Sequence, residues 1–166
     1  MKNVCYLIKN SKDEYLYCNK DIGLVYRKMD GISDILNNQR SNEDIVIIKR
    51  NMGNVYDFLN NNNLINDKDL SVVKVTLKTL DNPTVFDSDN TVFILGNKDS
   101  IYLYGNDGVT KCNFMKSKSS IVDLFTTLSV SGYKLYTYKW TENVYYKYNI
   151  KYKEGDSIFA ISVDLI

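Results

Sequence analysis

The sequence predicts an α+β protein built from two related modules, each a mainly antiparallel sheet with one helix, packed as a pseudo-twofold pair. Two observations lead to this prediction. Val, Ile, Tyr and Thr are plentiful, whereas Ala, the strongest helix former, occurs once, so strands should dominate. In addition, a pattern near the amino end recurs later in the chain. A single mixed sheet flanked by helices is the alternative architecture.

The recurring pattern aligns residues 5–19 with residues 92–106 without a gap, at an offset of 87 residues. Residues 32–36 likewise match 121–125, and both halves end in an alternating apolar strand. The repeat therefore predicts an internal duplication, with modules at 1–81 and 91–166 and a linker at 82–90. The matched positions are Asn10, Tyr15, Leu16, Tyr17 and Asn19 with Asn97, Tyr102, Leu103, Tyr104 and Asn106, and Val73, Val75 and Leu77 with Phe159, Ile161 and Val163.

Each repeat should open with a β-hairpin, because facing side chains then match in charge or aromaticity. A turn centred on Ser11–Lys12 places Cys5 opposite Cys18, and we interpret these two as buried thiols rather than a disulfide. The pairs predicted for this turn are Lys9 with Glu14, Ile8 with Tyr15 and Tyr6 with Tyr17. The pairs predicted for the equivalent turn on Lys98–Asp99 are Phe93 with Tyr104 and Leu95 with Tyr102.

The remaining elements follow in the same order in each half. Third strands are predicted at 24–26 and 109–114, helices at 31–38 and 119–129, and further strands at 45–49 and 135–139. Apolar spacing places Ile32, Ile35 and Leu36 on the buried face of the first helix, and Ile121, Leu124, Phe125 and Leu128 on that of the second. A short helix is predicted at 55–59, a strand at its counterpart 144–152, and an exposed loop at 60–63.

Most catalytic chemistry is excluded by composition. The chain has no histidine, and its three cysteines are too dispersed for a metal-binding or redox motif. No glycine-rich phosphate loop occurs, and we interpret Asp81, Asp87 and Asp89 as part of a solvated linker. We therefore expect no enzyme, no cofactor and no metal site. A histidine-free enzyme or a protein that sequesters a small nucleotide remains an alternative.

Net charge and hydropathy indicate where in the cell the protein acts. The formal net charge is +1, and no apolar run approaches the length of a membrane span. The amino end does not resemble a signal peptide, and three cysteines do not make a disulfide framework. These features predict a cytoplasmic protein without a membrane partner. The abundance of Asn, Lys, Ile and Tyr indicates an A/T-rich genome and favours a viral or phage accessory protein.

The predicted function is binding to a host protein, which the chain would inhibit or redirect. Tyr and Trp are favoured anchors at protein interfaces. The predicted contact residues are Tyr133, Tyr136, Tyr138, Trp140 and Tyr146. The same region is rich in lysine, so single-stranded nucleic acid is the alternative partner, with bases stacking on aromatic rings and lysines meeting phosphates. The residues for that alternative are Lys134, Lys139, Lys147 and Lys151.

Overall fold

The computed structural model of the protein describes residues 3–29, 31, 32, 35, 44–80, 91–97, 100–105, 108–113, 121, 122, 124, 125, 134, 135 and 156–165. Side chains are described for residues 3–29, 31, 32, 35, 44–78, 121, 122, 124, 125 and 161–163. The strands are β1 (Val4–Asn10), β2 (Glu14–Asn19), β3 (Gly23–Lys28), β4 (Asp44–Val46), β5 (Leu70–Leu80), β6 (Thr91–Asn97), β7 (Ser100–Gly105), β8 (Gly108–Asn113), β9 (Lys134–Leu135) and β10 (Asp156–Leu165), and helix α1 is Met52–Asn61.

In the described part of the chain, these ten strands form one open antiparallel sheet. Its order is β3-β2-β1-β5-β10-β6-β7-β8, with β4 paired to β2 and β9 paired to β7. The predicted α+β class is confirmed. The third strands predicted in the two halves are present as β3 and β8, and the strands predicted to follow the helices are present as β4 and β9.

The centre of the sheet is the antiparallel pair β5 and β10, in which Thr76 lies opposite Ser162. Outward from this pair, Cys5 of β1 lies opposite Val75, and Val92 of β6 lies opposite Ile161. The sequence repeat aligns Cys5 with Val92 and Val75 with Ile161. Residues that match between the halves therefore occupy matching positions on either side of the central pair.

The predicted register of the first hairpin is wrong by one residue. Lys9 lies opposite Tyr15 rather than Glu14, because the turn contains three residues instead of two. Asp13 adopts a left-handed conformation (φ 58°), which three-residue hairpin turns require at their last position. The Asn10 side-chain oxygen accepts hydrogen bonds from the backbone N–H groups of Lys12 and Glu14, and so holds the longer turn. Near its turn the second hairpin has the predicted register, with Gly96 opposite Ile101. The predicted pairing of Phe93 with Tyr104 is wrong, because Tyr104 lies opposite Val109 of β8 and Lys134 of β9, and the predicted pair of Leu95 with Tyr102 is absent from the ladder between β6 and β7.

The first hairpin is also not closed along its length, because the segment that begins with β4 lies between its two strands. The Ile47 N–H donates to the Leu16 carbonyl at 3.0 Å on the β2 side. On the β1 side, Lys49 and Tyr6 exchange two backbone hydrogen bonds of 2.8 and 3.0 Å. The predicted contact between Tyr6 and Tyr17 is therefore wrong.

One face of the sheet packs against the described residues of the first two predicted helices. Ile32 and Ile35 are helical and buried, and the Ile35 N–H donates to the Gly31 carbonyl at 3.1 Å, one helical turn earlier. Residues 121, 122, 124 and 125 are also helical and buried in the same cluster. The buried helix faces predicted from apolar spacing are confirmed at these positions, while Leu36 and Leu128 lie outside the described residues.

Helix α1 covers part of the opposite face, and its end explains the asparagine run. Asn60 and Asn61 close the helix rather than forming a loop, and Asn63 is left-handed with φ 58°. The Leu64 N–H donates to the Leu59 carbonyl at 2.7 Å, and the Asn63 N–H donates to the Asn60 carbonyl at 3.2 Å. This pair of bonds is a Schellman motif, in which only Gly and Asn readily occupy the left-handed position.

Replacing Asn63 tests this helix end. We expect Asn63→Ala to lower the free energy of unfolding by about 1 kcal/mol, because Ala lacks the short polar side chain whose local hydrogen bonding lets Asn adopt the left-handed conformation. Asn63→Gly is the matched control and should leave stability equal to or slightly above wild type. Urea denaturation of the three proteins measures the difference. Equal losses of stability in Asn63→Ala and Asn63→Gly would show that the left-handed conformation of residue 63 does not cause the loss.

Candidate functional site

Two successive rows of side chains cross the face of the sheet that carries α1. In the first row, Leu16 lies opposite Tyr26 and next to Ile47. These three side chains pack with Val55 and Leu59 of α1 in one apolar cluster. The helix thus covers the first row, which explains why these strands are apolar on both faces.

The second row lies two residues away from the first on each of the three strands. Side chains two residues apart in a strand share a face, so both rows lie on the same face of the sheet. Cys18 of β2 lies opposite Leu24 of β3 on one side and opposite Ile45 of β4 on the other. All three are exposed, with 37% of Leu24 and 58% of Ile45 accessible to solvent. Ile22, in the turn before β3, is 70% exposed. We call Leu24, Cys18 and Ile45 the exposed row.

A buried polar network fixes the strands beside the exposed row. The Asn19 Nδ2 donates to Asp44 Oδ1 at 2.7 Å, and the Arg27 Nε donates to Asp44 Oδ2 at 2.6 Å. The Asn19 Oδ1 accepts from the backbone N–H groups of Asp21 and Ile22, and so shapes the turn into β3. One residue from each of β2, β3 and β4 therefore joins the network, which sets the relative positions of the three strands.

The network also shifts the ionisation of its charged members. The hydrogen bond from Arg27 is the main reason that the pKa of Asp44 lies below its ordinary value, with a smaller contribution from Asn19, although burial opposes the shift. The same hydrogen bond raises the pKa of Arg27. Both groups are therefore charged at neutral pH, so the network is an ion pair with one buried partner.

The two cysteines of the first hairpin do not face each other, contrary to the sequence-based register. Cys5 is fully buried in the core, whereas Cys18 is exposed on the opposite face of the sheet, and neither forms a disulfide. Burial raises the pKa of the Cys5 thiol far above its ordinary value, which suppresses the reactive thiolate. Cys18 is thus the accessible thiol of this pair, and it lies in the middle of the exposed row.

The contact surface predicted from the sequence lies almost entirely outside the described residues. Lys134 is the exception, since it begins β9 and lies opposite Tyr104. Sequence reasoning missed the exposed row, although continuous apolar runs such as 45–48 already indicate strands that are apolar on both faces. The predicted residues outside the described part of the chain are Tyr133, Tyr136, Tyr138, Trp140, Tyr146, Lys139, Lys147 and Lys151.

The described residues contain neither a cluster of metal-ligating side chains nor a membrane-spanning helix. No three His, Cys, Asp or Glu side chains of these residues are grouped closely enough to hold a metal ion. No helix within the described ranges has the length and apolar character that crossing a membrane requires.

Comparison with known proteins gives no match for this chain among family models, curated proteins or solved structures.

Thiol accessibility tests the placement of the exposed row. The third cysteine of the chain, Cys112, is first replaced by Ser so that only Cys5 and Cys18 can react. We then expect Cys18 to react rapidly with a thiol reagent at neutral pH. Cys5 should react only after unfolding, because it is buried. The measurement is the number of fast-reacting thiols, followed by mass spectrometry of the labelled peptides. Cys18→Ser should abolish the fast phase. Rapid labelling of Cys5 in the folded protein would contradict the structure.

The ion pair predicts a pH-dependent contribution to stability. Asp44→Ala should lower the free energy of unfolding by about 1–3 kcal/mol at neutral pH, because the Asn19 amide loses its buried acceptor. The folded pKa of Asp44 is lowered, so this contribution exists above the unfolded pKa near 4 and is lost as pH falls through the folded value. Urea denaturation across the acid range measures it, with the exposed Asp57→Ala as control. An Asp44→Ala deficit that persists undiminished in strong acid would contradict this assignment.

Proposed function

We propose that this chain is a non-enzymatic binding protein that docks on a host protein through the exposed row, acting in the cytoplasm as a viral or phage accessory protein. The observation that carries the proposal is the second apolar row, left uncovered beside a first row that α1 covers. Contiguous exposed apolar side chains on a rigid surface are typical of protein interaction sites. The A/T-rich composition supports the viral or phage origin.

The small size of the exposed row limits the free energy that it contributes to binding a partner. Full burial of a Leu or Ile side chain stabilises a complex by about 1.5–3 kcal/mol. Leu24 and Ile45 are already partly covered, so the row contributes less than the roughly 8 kcal/mol that micromolar binding needs. The partner must therefore also contact other residues. The aromatic set Tyr133, Tyr136, Tyr138, Trp140 and Tyr146 is our prediction for this second contact.

We further propose that the two halves arose by duplication and form a pseudo-twofold pair. The strand order is symmetrical about β5 and β10, and Thr76 and Ser162 lie opposite each other at the centre. The pairing of Cys5 with Val75 and of Val92 with Ile161 supports the alignment found in the sequence. The equivalents of Cys18 and Leu24 are Gly105 and Gly108, which also lie opposite each other. Binding through the exposed row would therefore belong to the first half.

Differential capture tests the proposed interface. We expect a host protein to be retained by wild type and by Ile65→Asp, but at least about tenfold less by Ile45→Asp, because a buried charge at the centre of an interface is unfavourable. Ile65 is the matched control, since it is exposed and apolar but outside the exposed row. Quantitative mass spectrometry of proteins captured from candidate host lysates measures retention, after urea denaturation has shown equal stability.

A second readout uses Cys18 as a probe within the same surface. In the Cys112→Ser background, the purified partner should protect Cys18 from alkylation. A captured protein that neither depends on Ile45 nor protects Cys18 would contradict docking at the exposed row. Binding of single-stranded DNA or RNA that weakens steeply with salt would instead favour the nucleic-acid prediction made from the sequence.

A further inference from the structure

A polar groove of about 390 Å³ runs beside α1, between the helix and the segment that follows β4. Its partly buried apolar lining consists of Ile48 and Phe58. The Lys49 ammonium lies 4.7 Å from the centre of the Phe58 ring, a cation–π contact that holds both side chains in place. The groove lining therefore combines an apolar part, Ile48 and Phe58, with polar and charged side chains.

The walls carry hydrogen-bonding groups that the described structure does not use. Arg50, Asn54, Asp57 and Asn61 are exposed, and their side chains form no hydrogen bond or ion pair with any described residue. Arg27 differs, because its guanidinium is bound to Asp44. Arg50 is thus a guanidinium available to a ligand, and Asn54 and Asn61 are amides that each offer a donor and an acceptor.

The spacing of the two amides matches an extended chain. Asn54 and Asn61 are seven residues apart on one helix, about 10.5 Å along its axis, with Asp57 between them on the same stripe. A polyproline-type chain presents equivalent backbone groups on one side every three residues, or about 9 Å. The difference is within the reach of an Asn side chain, so both amides are positioned to meet the backbone of one extended segment.

The charges of the groove are uneven along its length. Arg50 lies just before the start of α1, and no acidic side chain in the first turn of the helix offsets its charge. The Lys49 ammonium instead lies beside the Phe58 ring, in the second half of the helix. Asp57, the one acidic residue lining the described groove, lies about one and a half turns beyond the start of the helix. A carboxylate is therefore favoured at the Arg50 end, where a guanidinium can bind it through two parallel hydrogen bonds.

We propose that this groove holds an extended segment of a partner protein, with an Asp or Glu side chain against Arg50 and its backbone against Asn54 and Asn61. The inference rests on the proposed binding function and adds the chemistry of the partner. The groove recognises an acidic extended segment, and the exposed row recognises an apolar surface of the same partner.

An NMR titration of the full chain tests the groove directly. The probes are three acetylated, amidated hexapeptides of sequence Ala-Pro-Xaa-Ala-Pro-Ala, in which Xaa is Glu, Gln or Lys. We expect the Glu peptide to shift the side-chain amide signals of Asn54 and Asn61. The Gln and Lys peptides should bind at least about tenfold more weakly, because the charge-assisted hydrogen bonds to Arg50 are lost. Equal responses to the three peptides, or shifts confined to other residues, would overturn the proposal.

Charge reversal sharpens the test. Arg50→Glu should abolish the preference for the Glu peptide and create one for the Lys peptide, whereas Lys68→Glu, an exposed cation outside the groove lining, should change neither. Free glutamate at the same concentration should shift the Asn61 signal far less than the Glu peptide does. An equal shift would overturn recognition of an extended segment.

Docking at the exposed row and peptide binding in the groove can be disproved independently of each other. Ile45→Asp should leave binding of the Glu peptide unchanged, since Ile45 does not line the groove. Loss of the peptide response with Ile45-dependent capture intact would overturn only the groove. Peptide binding without any Ile45-dependent partner would overturn docking at the exposed row.

Discussion

The amino-terminal half of the sheet depends on the need of every buried backbone group for a hydrogen-bond partner. Strands β1 and β2 begin as a hairpin at Lys9 and Tyr15 and then separate. Their separated backbones would lack partners without the segment that starts at β4, which bonds to Leu16 on one side and to Tyr6 on the other. The inserted segment therefore holds the widened hairpin together.

The same segment determines where both candidate sites lie. Side chains two residues apart in an extended chain share a face, so Ile45 and Ile47 lie on the same face of the sheet. Ile47 lies beneath α1, whereas Ile45 lies beyond the helix in the exposed row. The next residues along the chain, Ile48 to Arg50, line the groove beside the helix. The ion pair of Asp44 with Arg27 anchors the start of this segment. Apolar and polar recognition surfaces thus lie on one short, tightly held stretch of chain.

Local patterns in the sequence predicted much of the fold. Apolar spacing located the buried helical residues Ile35 and Phe125, and strand-forming runs located β3 and β8. The first hairpin register was not predictable from residue matching, since it depends on the left-handed backbone of Asp13. The role of Asn63 at a helix end was missed for the same reason. The insertion of β4 is a contact between distant parts of the chain, so no local pattern encodes it. Apolar runs indicate strands that are apolar on both faces, but they do not show that α1 stops short of the exposed row and leaves it uncovered.

The widened hairpin has a consequence for how the chain acquires its structure. The strands of a hairpin normally form their hydrogen bonds with each other, and so between residues that are close in sequence. Here the backbone of Tyr6 bonds to Lys49, which is more than forty positions later along the chain. Until that stretch arrives, the inner edges of β1 and β2 are open templates for another strand, the situation in which chains associate wrongly. A nascent chain that ended before Arg50 would therefore expose two unpaired strand edges. Prompt synthesis of the first half would protect the chain from pairing with other chains through these edges.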